Sequence, residues 1–293
     1  SIATAFIFCA VICAILSLYP SHVVRPKRTP NACKVARRRR VDNTCMSFTQ
    51  RFTERAGHYA AARPSYPVDA LDALFAGLGE PARLTAVDLG AGTGISARLL
   101  AERGAKVIAV EPNDAMRNEA APAERVNWHA GSAESTGLPD TSADLVTAFQ
   151  AFHWFDYAVA VREMARILRP GGRAALVYNE RDEADPFTAA YGDLIRHYAV
   201  DETERRRAEA RAVFAAQRVL GAVRGVECRN VQTLDRAGVH ARARSSSFLP
   251  QTGAAADEMH AALEALVDRY AADGSVTTHL VTLVSIAERA PAR

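Results

Sequence analysis

The residues with the most chemical content are Val87-Asp88-Leu89-Gly90-Ala91-Gly92-Thr93-Gly94, an apolar run that breaks into three alternate glycines. Glycine lets the backbone turn tightly and lets a ligand lie against bare main chain. Twenty-three residues after Asp88, a second apolar run ends in Val110-Glu111-Pro112. A carboxylate at such a strand end can accept hydrogen bonds from both ribose hydroxyls, as in doubly wound sheets that hold adenosine-bearing cofactors. Alone, Glu111 would read as a solvated loop carboxylate; paired with the glycine turn it reads as a ribose ligand. A dinucleotide fingerprint needs glycine at position 95, but Ile95 stands there and the spacing is G-x-G-x-G. That spacing favours a ligand without a pyrophosphate and disfavours a nicotinamide-dependent oxidoreductase.

Such residues need strands that end side by side. Apolar runs at 84–90, 106–112, 125–131, 143–150 and 173–179 recur at roughly 20 to 30 residues, the rhythm of βα units feeding a parallel sheet. Helical patterns fill 95–103, 115–121 and 157–168, the last stopped by Pro170-Gly171-Gly172. Beyond Asn179, residues 183–223 read as a mostly helical insertion whose charged stretch 202–211 forms an exposed face. Residues 228–234 suit a strand, 254–272 an amphipathic helix, and the β-branched 275–287 a final strand.

At 293 residues, 49% hydrophobic and 24% charged, the chain suits one large domain with an appendage and excludes wholesale disorder. Residues 1–45 stand apart. They hold an apolar run over 2–18, eight of the basic residues and one acid, Asp42. The reading is a signal anchor that leaves the rest in the cytoplasm, a cleaved secretory signal, or an extension ahead of a functional chain that starts at Met46. Residues 46–293 form the functional domain, expected in the cytoplasm, with membrane attachment only if the leader is an anchor. Despite the overall charge of +3, that domain is slightly acidic, so charge gives no argument for a nucleic-acid partner. Four cysteines precede residue 46 and only Cys228 follows, which leaves the domain without an internal disulfide or a cysteine-based zinc site.

Several motifs together resemble the class I S-adenosylmethionine-dependent methyltransferases: VDLGAGTG at the first strand, IAVEPN at the second, and Ala130-Gly131-Ser132-Ala133-Glu134 after the third. The run Ala148 to Phe155 and the turn Leu168-Arg169-Pro170-Gly171-Gly172 add to these. Within the class, YAAARPSYP at 59–67 and QAFHWF at 150–155 resemble the small-molecule branch around trans-aconitate methyltransferases. The resemblance implies an α/β, Rossmann-like, doubly wound sheet of seven strands, mostly parallel with the last strand antiparallel, and helices on both faces. It implies S-adenosylmethionine as cofactor. Gly90, Ala91 and Gly92 would line its methionine part, and Asp88 would orient the amino group through water. Glu111 would hold the ribose and Pro112 would flank the adenine. Ala133 would offer its N–H to the adenine ring beside Glu134, and Gln150 would stand near the methionine carboxylate or sulfonium. Ser132 stands where many members carry Asp, so it would meet the adenine amino group without charge.

Methyl transfer from a sulfonium is an in-line displacement, and a base is needed only if the nucleophile holds a proton. His153 is the candidate base, with a packed, pocket-shaping histidine as the alternative. Tyr59, Phe152 and Trp154 would face the sulfonium or cover the acceptor, or else form core. Arg63 would bind an acidic substrate or only pin an N-terminal lid that includes Tyr66; Tyr178 and Asn179 would line the acceptor side. No Asn/Asp-Pro-Pro-Tyr/Phe follows the fourth strand, and no residue set has metal-ligand spacing. The expected function is methyl transfer to a small molecule, at a carboxylate or other oxygen. The alternative is a non-catalytic S-adenosylmethionine-binding accessory protein of the same fold.

Overall fold

The computed structural model describes residues 63–290. The leader 1–45 and Tyr59 therefore lie outside the described residues. Seven strands form one sheet in the order β3-β2-β1-β4-β5-β7-β6. They are β1 Thr85–Leu89, β2 Lys106–Val110, β3 Val126–His129, β4 Ala143–Phe149, β5 Leu168–Arg181, β6 Arg224–Asp235 and β7 Ser275–Glu288. β1 to β5 are parallel, whereas β7 runs antiparallel to both β5 and β6. Asp273 and Gly274, both with positive φ, reverse the chain into β7.

The central strands are mostly apolar because both faces of the sheet are covered. On one face α1 (Val68–Phe75) and α2 (Ile95–Glu102) bury Leu71, Leu74, Phe75, Ala97 and Leu100 against Leu145, Val177 and Ile286. On the other, α4 (Tyr157–Ile167), which follows the short α3 (Asp114–Asn118), buries Ala160, Val161, Met164 and Ile167 against Val87, Val146 and Leu176. A third core joins α5 (Pro186–Tyr198), α7 (Arg236–Arg244) and α8 (Ala254–Tyr270) through Phe187, Tyr191, Ile195, Val239, Met259 and Leu263. Asn113, Asp156 and Asp185 cap α3, α4 and α5, each accepting from backbone N–H groups of the first turn.

Two expectations need correction. Pro170-Gly171-Gly172 ends α4 but does not form a separate turn. It lies inside β5, where the pairing with β4 shifts register between Ala143 and Leu145 and Gly171 takes a positive φ. The charged stretch 202–211, on α6 (Thr203–Ala216), is not simply exposed: Arg207 and Arg211 turn inward onto Tyr178 and Glu180. Of the two readings open to Phe152, core is the one seen: it is wholly buried among Phe155, Tyr157 and Phe214. Helices α1 and α7 are not among the elements expected above, although Ala70, Leu71, Leu74 and Phe75 give α1 an apolar face.

Candidate functional site

The strand order reverses between β1 and β4, and a doubly wound sheet opens a crevice at the carboxyl ends of its strands there. Gly90 follows β1 and Gln150 follows β4 at that point. Gly90, Gly92 and Gly94 all adopt positive φ. A Cβ at Gly90 would meet Ala151 Cβ at 2.9 Å, and one at Gly94 would meet Trp128 at 2.8 Å, whereas one at Gly92 would meet no atom within 4 Å. Gly90 and Gly94 are thus demanded by packing, and Gly92 leaves bare main chain facing open space.

Two adjoining cavities meet at this turn. The first, about 860 Å³, is lined among others by Glu111, Pro112, Ser132, Ala133, Glu134 and Trp154. The second, about 980 Å³, is lined among others by Arg63, Tyr66, Ala91, Ser96, Asn179 and Tyr191. Gly90, Gly92, Phe149 and Gln150 line both. Nearly all the residues singled out in the sequence therefore come together here. Asp88 lies behind the turn and lines neither cavity, and neither do Phe152, His153 and Tyr178.

Glu111 is buried, and its carboxylate pins two loops. Oε2 accepts from the Gly92 N–H at 3.0 Å and Oε1 from the Asn113 N–H at 2.9 Å. Each oxygen keeps a second lone pair for a ligand hydroxyl. Burial pushes its carboxyl up, opposed by those two hydrogen bonds and by Arg117. Asp88 is fully buried and accepts from Ser96 Oγ at 2.5 Å and Thr147 Oγ1 at 2.9 Å. Its carboxyl is raised to about 7, chiefly by burial.

The segment 131–138 is anchored from behind. Thr136 donates to Glu163 Oε1 through its N–H at 2.8 Å and its hydroxyl at 2.5 Å, and Arg166 holds the same carboxylate at 2.7 Å. Ser132 Oγ accepts from the Ser135 N–H, and Glu134 accepts from the Asp156 N–H. Gln150, at φ 52°, donates to the Asn179 carbonyl and accepts from Arg207.

The second cavity carries a feature that sequence reading missed: Arg181, Arg207 and Arg242 join Arg63 on its wall, against one acid, Glu180. Arg181 pairs with Glu204, and Arg207 with Glu180. Arg242 is held by Gln232 and Tyr191, and burial lowers its pKa; among the described residues it has no carboxylate in an ion pair. Arg63 donates to the Ser245 carbonyl at 2.9 Å, which ties the segment at 63–67 to α7. The Asn179 and Asn230 amides hold the Ser65 carbonyl of the same segment. His153 is buried beside Tyr178 and Trp154 and borders a smaller cavity that shares Arg63, Gln150, Arg207 and Phe248 with the second one. Among the described residues, no group of three or more His, Cys, Asp or Glu could hold a metal ion, and no helix is long and apolar enough to cross a membrane.

Comparison with known proteins agrees with this geometry. Residues 87–176 match a family model described as a methyltransferase domain. An uncharacterized methyltransferase of Mycobacterium tuberculosis is 43% identical over 146 residues, which cover 49% of this chain and 58% of that protein. An uncharacterized methyltransferase-like protein of Schizosaccharomyces pombe is 34% identical over 155 residues, 51% of this chain and 59% of that one. The chain thus spans a little over half the length of these curated relatives. A solved structure from Anaeromyxobacter dehalogenans, provisionally named a type II methyltransferase, superposes with a TM-score of 0.55 at 26% identity, covering 78% of this chain and 99% of that one. With the strand order, the glycine turn and the placement of Glu111 already described, these matches show that residues 87–176 are a methyltransferase domain, set in a sheet of the class I S-adenosylmethionine-dependent type.

Proposed function

We propose that the protein transfers a methyl group from S-adenosylmethionine to an oxygen of a small acid. The cofactor supplies a methyl group already activated on a sulfonium. The residues of the first cavity fit it. Glu111 has lone pairs free for ribose hydroxyls, Pro112 and Ala133 border the space for adenine, and Ser132 and Glu134 stand beside them. Gly90, Ala91 and Gly92 offer bare main chain to the methionine part, which Gln150 faces from β4. Asp88 would act from behind the turn, through Ser96.

The observation that carries the acceptor class is the wall of the second cavity, above all Arg242. Arg242 is partly desolvated and has no carboxylate in an ion pair among the described residues, and an incoming anion would offset that desolvation. Arg63, Arg181, Arg207 and Arg242 would hold an acid with one oxygen toward Gln150. A carboxylate nucleophile carries no proton to remove, so positioning supplies most of the rate. Tyr191 and Ile195 of α5 and Arg207 of α6 supply part of this wall, so the insertion at 183–223 is read as the acceptor side of one domain over 46–293. The reading keeps the likeness to the trans-aconitate branch as a proposal.

The test is incubation of the full chain with methyl-labelled S-adenosylmethionine and pools of small organic acids. Transfer to a carboxylate oxygen gives an ester, and mild base then releases labelled methanol. Label that resists base would place the methyl on carbon, nitrogen or an ether oxygen and contradict the acid-oxygen reading.

A further inference from the structure

His153 lies in the short 3-10 turn Phe152–Trp154 that follows β4. Its backbone N–H donates to the Tyr178 hydroxyl at 3.1 Å, and its ring Nδ1 lies 3.3 Å from the same oxygen. Tyr178 is wholly buried, so its phenolic proton needs an acceptor. Among the described residues, Nδ1 is the acceptor within reach. If Nδ1 carried the proton instead, the hydroxyl oxygen would face two donors and its own proton would be left without a partner. The pair therefore assigns Tyr178 as donor, Nδ1 as acceptor and Nε2 as the protonated nitrogen.

The surroundings keep that ring neutral. It packs on Tyr178 of β5 and on Trp154, and Arg206, Arg207 and Arg211 of α6 and Arg63 of the N-terminal segment face it. Burial first, then these four guanidinium groups, holds its pKa well below the usual histidine range. A ring in that state can donate through Nε2–H but takes up a proton poorly. The ring borders the small cavity that Arg63, Gln150 and Arg207 also line, and all three reach the second cavity.

We propose that His153 is a fixed hydrogen-bond donor, through Nε2–H, to an anionic oxygen of the acceptor, and that it is not a general base. The proposal rests on reading the second cavity as the acceptor site. It separates the two roles open to this histidine from sequence: it is packed, and it is packed so as to present a proton. Donation of this kind also discriminates, because an acceptor lacking the anion would leave the Nε2–H without an acceptor.

Long-range nitrogen–proton NMR of the histidine rings in the full chain tests this, with the His153 signals assigned by their loss in His153→Asn. The expected result is the Nε2–H tautomer, unchanged between about pH 5.5 and 8. An Nδ1–H tautomer, a cationic ring, or titration within that range would overturn the proposal. In Tyr178→Phe the signals should move toward an average of both tautomers; unmoved signals would show that Tyr178 sets nothing. Adding malonate as a dicarboxylate probe, with S-adenosylhomocysteine present, should shift the Nε2–H resonance, and an unshifted resonance would remove the link to an anion. Binding of S-adenosylhomocysteine, read on the same samples, keeps failure of the cofactor reading distinct from failure of this one.

Discussion

Asp88 and Glu111 are both carboxylates at strand ends, yet their surroundings give them different work. Glu111 keeps lone pairs toward the first cavity while closing two loops. Asp88 is sealed behind the turn, and burial outweighs its two hydroxyl hydrogen bonds, with the charge of Glu111 adding to the rise. Its folded pKa, about 7, lies above the ordinary 3.8. The stability it contributes is therefore complete below about pH 4 and is lost as pH climbs through 7. Asp88→Asn keeps the shape, and the Ser96 and Thr147 hydroxyls can reverse their roles. Denaturant unfolding from pH 4 to 7.5 should show the variant gaining on the wild type by up to a few kcal/mol, since each tenfold change in proton affinity is worth about 1.4 kcal/mol. Parallel profiles would contradict this account of Asp88.

At the scale of elements, the cofactor loop at 131–138 is shaped from α4. Glu163 holds Thr136 at two points and is itself held by Arg166, which lowers its carboxyl to about 2, with the Thr136 hydrogen bonds assisting. This folded pKa lies below the unfolded one, so its contribution is present above about pH 4.5 and is lost as pH falls toward 2. Glu163→Gln at pH 7 should cost about 2 kcal/mol of stability, because a charge-assisted bond is lost and Arg166 loses a partner. It should also weaken S-adenosylhomocysteine several-fold, since Ser132 to Glu134 ride on the loop. Lost stability with unchanged affinity would separate the loop from the site. The loop's cavity residues were legible in the sequence because each sits just after a strand, and the βα rhythm places strand ends together. The staple was not, since Glu163 reads as one more polar residue on an amphipathic helix. Arg181, Arg207 and Arg242 were illegible for a related reason: they come from β5, α6 and α7, and charge patterning does not say which arginine of a charged face turns inward. The strand pattern sufficed for β1 to β4, but the Pro-Gly-Gly signal hid the early start of β5, whose bulge absorbs it.

Over the whole molecule, the parallel half of the sheet carries the first cavity, and the helices around β5 to β7 add the arginine wall of the second. Both halves meet at the glycine turn, so a methyl group held in one would face an anion held in the other. The measurement closest to this claim is calorimetric titration of S-adenosylmethionine and S-adenosylhomocysteine into the full chain, with NADH as control and Glu111→Ala alongside. The account predicts micromolar binding of both sulfur compounds and none of NADH, with at least a tenfold loss of affinity in a folded Glu111→Ala. Binding of NADH, or equal affinity without the Glu111 carboxylate, would contradict it.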